Sequence, residues 1–202
     1  MLYSKRIIIS SIVIISFIVF SFSFDTKNSF ENKPHKEVNE LIQWDHLQKL
    51  TWKDFKGKPN KRSPFKAMTF ASIGSNLISF SKNELKVEIL CHFIKNKSWT
   101  KMETDELLRH EQVHFDIAEL AARKMRQKIS NLNIKKLNHK NIESKLNAIF
   151  NASVNDQVKM NQKYDSDTNH SINTKSQEEW ENRVKEMLVE TQEFSNTSIS
   201  VN

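Results

Sequence analysis

The sequence predicts an α+β domain: a small antiparallel sheet from the first half packed on one long helix, with two further helices completing the core. Three observations carry this. Apolar residues alternate with period two between Ala67 and Ile94, and helical spacing replaces that period after Trp99. With only 2 Gly and 3 Pro in 202 residues, a many-stranded barrel with frequent tight turns is disfavoured. Hydrophobic residues make up 38% and charged residues 27%, so a packed core is feasible.

The elements follow in order. Lys5 and Arg6 precede an apolar run from Ile7 to Phe24 that only serines interrupt. A basic start before an apolar stretch describes a secretory signal, and the run stands at the lower limit for a spanning helix. Residues 1–24 are therefore expected to be a signal peptide or an N-terminal membrane anchor. The chain from about Asp25 would then be exported to the periplasm, the exterior or the outer face of the inner membrane. Residues 25–40 are polar and read as a linker, 41–194 as the folded domain, and 195–202 as a disordered tail.

Within the domain, Trp44, Leu50, Trp52 and Phe55 form an aromatic-rich stretch that ends at the turn signal Gly57-Lys58-Pro59-Asn60. Leu85, Val87, Ile89, Cys91 and Phe93 alternate with mostly polar neighbours, which is a half-buried strand. Lys82-Asn83-Glu84 would turn the hairpin before it. Thr104 followed by Asp105 and Glu106 marks a helix start, because negative charge suits the positive end of the helix dipole. Leu107, Val113, Ile117, Leu120 and Met125 carry that helix to about Ile129. A second helix is expected from about Asn141 to Lys163, a polar turn from Tyr164 to Ser171, and a last helix from about Lys175 to Phe194.

Composition excludes several functions. There is no glycine-rich phosphate loop, and the single cysteine, Cys91, permits neither an intrachain disulfide nor a Cys-rich zinc module. The net charge of +7 reads as spread along the chain, without a basic stripe interleaved with aromatics, so nucleic acid is not an expected partner.

The chemistry concentrates at His110-Glu111-Gln112-Val113-His114, an H-E-x-x-H pattern inside the long helix. Residues four apart leave a helix on one face, so His110 and His114 can converge on one Zn2+ ion. Glu111, one step on, can hold a water, accept its proton as general base and pass it to a leaving amine. A catalytic zinc needs a third protein donor. The next residues on that face, Ile117, Ala118 and Ala121, offer none. Downstream candidates are Glu143, Asp165, Asp167, His170, Glu178 and Glu179. The Tyr164–His170 segment concentrates the most donors, and Tyr164 could donate to a developing oxyanion. The pattern points to a zincin-like peptidase, in which an edge strand often aligns an extended peptide. Leu85–Phe93 is the nearest candidate strand.

Leu50-Thr51-Trp52-Lys53-Asp54-Phe55-Lys56-Gly57, Ala67-Met68-Thr69, Lys97-Ser98-Trp99, and the run from Leu107 through His110-Glu111-Gln112-Val113-His114-Phe115-Asp116-Ile117-Ala118 to Glu119, resemble a bacterial family of predicted secreted zinc-dependent proteases. Tyr164-Asp165-x-x-Thr168-x-His170 and Gln177-x-x-Trp180 extend the resemblance, with Ser171 where that pattern commonly has Gly. The resemblance implies His110 and His114 as zinc ligands and Glu111 as base. Elimination among the other histidines and the resemblance together make His170 the third ligand, with Glu178 or Glu179 as the rival. The expected function is a secreted or membrane-tethered zinc metallopeptidase acting on peptide or protein substrates, with residues 7–24 as the tether if the leader is kept. The alternative is a non-catalytic zinc-binding envelope or partner-binding module.

Overall fold

The computed structural model describes residues 40–202. The leader and most of the linker lie outside the described residues. Strands β1 (Leu41–Gln43), β3 (Ala71–Phe80), β4 (Leu85–Ile94) and β6 (Ser198–Val201) form one sheet, and β2 (Ala67–Met68) pairs with β5 (Trp99–Thr100) in a second. All pairs are antiparallel. Helices α1 (Asp105–Ser130), α2 (Ile142–Thr168) and α3 (Thr174–Glu190) complete the α+β fold that the sequence predicts. Among the described residues no helix is long and apolar enough to cross a membrane.

Strand β4 shows how the pattern becomes packing. Leu85, Val87, Ile89, Cys91 and Phe93 are buried, while their alternate neighbours are only half-buried. The buried set meets Phe115, Ala118, Ala122, Met125 and Ile129 of α1 in the main core. The opposite side of α1 presents Val113, Ile117 and Leu120 to Tyr164, Trp180 and Val184 of the other two helices. So α1 is packed on both sides. Its start is capped by Thr104, whose hydroxyl accepts from the Leu107 N–H at 3.3 Å. The β3–β4 turn is held by Ser81, whose Oγ accepts from the backbone N–H groups of Asn83 and Glu84.

Three expectations change. Strand β4 is central, with β3 on one edge and β1 and β6 sharing the other. Its backbone groups are therefore already paired, and it cannot align an incoming peptide. The chain end forms β6: Ile199 and Val201 face inward opposite Val87 and Leu85, and that burial orders a segment expected to be free. Helix α2 runs through the polar Tyr164–Thr168 segment to end five residues beyond Lys163. Tyr164 and Thr168 lie one turn apart, both are fully buried, and the Thr168 hydroxyl donates to the Tyr164 carbonyl at 2.8 Å. Tertiary packing here outweighs weak helix propensity. The helix then stops abruptly, with Asn169, His170 and Ser171 all at positive φ (47°, 52° and 72°) and the His170 N–H closing on the Asp165 carbonyl at 3.0 Å.

Candidate metal centre

Helix α1 places His110 and His114 one turn apart, facing α2 and α3. Their Nε2 atoms stand 3.2 Å from each other. Asp165 Oδ1 lies 3.2 Å from His110 Nε2 and 3.1 Å from His114 Nε2. The remaining ring nitrogens are both engaged. His110 Nδ1–H donates to Gln177 Oε1 at 3.0 Å, and His114 Nδ1–H donates to Asn161 Oδ1 at 2.9 Å. Gln177 is itself oriented, because its Nε2 donates to Glu181 Oε1 at 3.0 Å and Arg109 Nε donates to the same oxygen at 3.2 Å.

These partners decide the chemistry. With hydrogen on each Nδ1, both Nε2 lone pairs face the Asp165 carboxylate, and three acceptors share one small space. Such an arrangement calls for a cation. A proton answers part of the need. Burial pushes the His114 imidazole down, but the Asp165 carboxylate outweighs it and lifts the group to about 9. Burial likewise pushes Asp165 up, and the imidazoles of His114 and His110 override it and hold the carboxyl well below its usual range. A metal ion answers the need in full. His110, His114 and Asp165 form a group that could hold one. Three donors about 2.0–2.1 Å from a tetrahedral zinc stand about 3.3–3.4 Å apart, close to the separations found here. Engagement of the second ring nitrogen by an acceptor is also what metal-bound imidazoles require.

Glu111 is buried beside this group, and its Oε2 has no hydrogen-bond partner among the described residues. A buried carboxylate oxygen without a partner is costly unless something else engages it, which fits a site that works on a polar ligand. Tyr164 lies fully buried beneath the centre. Its ring stacks on His110 at 4.6 Å and meets His114 edge-on at 5.0 Å. Its hydroxyl donates to Gln177 Oε1 at 2.8 Å, the same oxygen that accepts from His110 Nδ1. Burial pushes its phenol far above the usual value.

His170 sits at the rim, half-exposed, with Nδ1 3.5 Å from Asp165 Oδ1 and its ring 5.0 Å from that of Phe65. The third donor atom in the group belongs to Asp165, which the continued helix turns inward. Glu178 and Glu179 are exposed on α3 and outside the group. Sequence reasoning missed Asn161 altogether and gave Gln177 no role. The available signal was spacing: Asn161 precedes Asp165 by four residues, so both share one face of α2. Replacing Asn161 by Ala should weaken metal binding about 10–100-fold, the scale for losing such a support. Chelator competition measures it, and an unchanged affinity would sink the assigned role.

The rest of the motif is structural. Asp116 accepts from Trp44 Nε1 at 2.8 Å and from Gln112 Nε2 at 2.9 Å, while Gln112 Oε1 accepts from the Leu50 N–H at 2.8 Å. These bonds tie the aromatic-rich segment to α1.

Residues 95–171 match the family model of a bacterial protein of unknown function, DUF922. The DUF922 stretch contains His110, Glu111, His114, Asn161, Asp165 and His170, and it stops before Gln177. It therefore spans α1 and α2, which carry all three candidate metal donors. No curated protein and no solved structure matches the chain.

Proposed function

We propose that the protein is a zinc-dependent metallopeptidase acting outside the cytoplasm. The observation that carries this reading is the meeting of two imidazole Nε2 atoms and one carboxylate oxygen beside a buried Glu111 whose Oε2 has no partner. Two histidines and one carboxylate leave a position open, as catalytic zinc sites do and closed structural sites do not. Zinc held by His110, His114 and Asp165 would act as a Lewis acid and bring water ionisation toward neutral pH.

The chain's own residues do the rest. Gln177 and Asn161 hold a hydrogen on each Nδ1, so each Nε2 is the ring nitrogen left to ligate, a metal taking the place of any proton there. Glu111 accepts the proton of the attacking water and returns it to the leaving amine. Tyr164 acts as a positioning group under His110, since its proton already goes to Gln177. His170, at the rim, belongs to the substrate side of the centre. In this reading the fold is zincin-like, the resemblance to predicted secreted proteases is functional, and the leader supplies the export.

Chelation tests the reading. Hydrolysis of a peptide library by the full chain should vanish when zinc is stripped and return when zinc is restored. Tight zinc binding with no turnover on any peptide would favour a non-catalytic zinc-binding module instead.

A further inference from the structure

Residues 56–66 and 95–101 together carry eight Lys and Arg and no Asp or Glu. Outside these two segments, the described chain holds more acidic than basic residues. The positive charge that looks dispersed along the sequence is therefore gathered by the fold.

The two segments are built into one lobe. The N–H of Lys56 bonds the Lys95 carbonyl at 3.0 Å, that of Gly57 the Ser98 carbonyl at 2.7 Å, and that of Lys101 the Lys66 carbonyl at 2.7 Å. A Cβ on Gly57 would stand 2.7 Å from the Ser98 oxygen, so only glycine permits this approach. Strands β2 and β5 continue the junction. Lys56 and Lys95 are ion-paired, with Glu40 and Asp54. The other six cations, Lys58, Lys61, Arg62, Lys66, Lys97 and Lys101, are exposed and form no ion pair among the described residues. Two are steadied over aromatic rings: Lys97 over Phe70 at 4.8 Å and Lys101 over Trp99 at 5.4 Å.

The lobe also adjoins the metal centre. The Thr69 hydroxyl, just after β2, donates to the Glu111 carbonyl at 3.1 Å, and Phe65 packs against His170. Like charges gathered beside a site raise the local concentration of an oppositely charged ligand and steer its approach.

We propose that this basic lobe binds an acidic peptide segment and presents the adjoining bond to the metal centre. The inference rests on the peptidase reading and names its substrate class. The position of the lobe at the rim of the centre favours a peptide over an anionic membrane, which would need no such junction.

Binding to the full chain carrying Glu111→Gln reads this without turnover. The probe is a fluorescein-labelled peptide with glutamates flanking an apolar centre, beside its glutamine counterpart. The acidic peptide should bind at least tenfold more tightly, and more weakly as salt rises. The triple variant K61E/R62E/K66E should lose roughly tenfold or more for the acidic peptide, keep its zinc, and bind the glutamine peptide unchanged. Equal binding of the two peptides, or acidic binding indifferent to the triple variant, would overturn the proposal. So would phosphatidylglycerol vesicles binding through the same residues while the acidic peptide does not. Failure of the wild-type chain to hydrolyse peptides counts against the peptidase reading alone, because this measurement needs no catalysis.

Discussion

Glu111→Gln is expected to keep zinc and lose roughly 10²–10⁴-fold in peptide hydrolysis, the usual scale for removing a positioned acid–base group. Three features lead there. Glu111 contributes no atom to the His110–His114–Asp165 group, so its loss leaves the donors intact. Its Oε2 is buried and unpartnered, so no structural hydrogen bond at that oxygen is broken. Glutamine matches its shape but cannot accept and return a proton. Zinc content and kcat/KM measured on the same preparation would check both halves. Turnover near wild type would remove Glu111 from the chemistry, and lost zinc would make it structural.

Glu119→Ala is expected to destabilise the fold by about 3–5 kcal/mol, because it strands buried charge. Glu119 Oε1 accepts from Arg123 Nε at 2.9 Å and Arg126 Nη1 at 2.8 Å, and all three side chains are buried. Arg126 also donates to the Ile89 carbonyl on β4 and the Phe194 carbonyl after α3, while Arg123 donates to the Leu188 carbonyl on α3. The network thus joins the central strand, α1, the end of α3 and the turn that follows it. Losses of this size are a large share of a typical domain's stability. Urea unfolding measures the effect, and a cost below about 1 kcal/mol would mean that the two guanidiniums find other partners.

The helix carrying His110 and His114 was legible in the sequence, because four-residue spacing has one geometric meaning on a helix and α1 is strongly patterned. The alternation in β4 was equally legible, since each buried residue there is separated by one half-buried neighbour. What the sequence hid depended on contacts between distant segments. Asp165 turns inward because Tyr164 and Thr168 bury a face of α2, whereas their polar neighbours read as a turn. Ser198–Val201 is too short to show its period, and it becomes a strand only against β4. Arg123 and Arg126 had no place legible in the sequence, because their partners, Glu119 and three backbone carbonyls, come together only in the fold. The basic lobe exists only because β2 and β5 join segments about thirty residues apart.

Zinc content of the full chain and of its Asp165→Ala and His170→Ala forms shows whether Asp165 completes the centre with His110 and His114. Each form should first be shown folded by circular dichroism. About one zinc is expected in the wild-type chain and in His170→Ala, and well over tenfold weaker binding in Asp165→Ala, which loses one of three protein donors. Full zinc in Asp165→Ala together with loss in His170→Ala would contradict it and make His170 the third ligand.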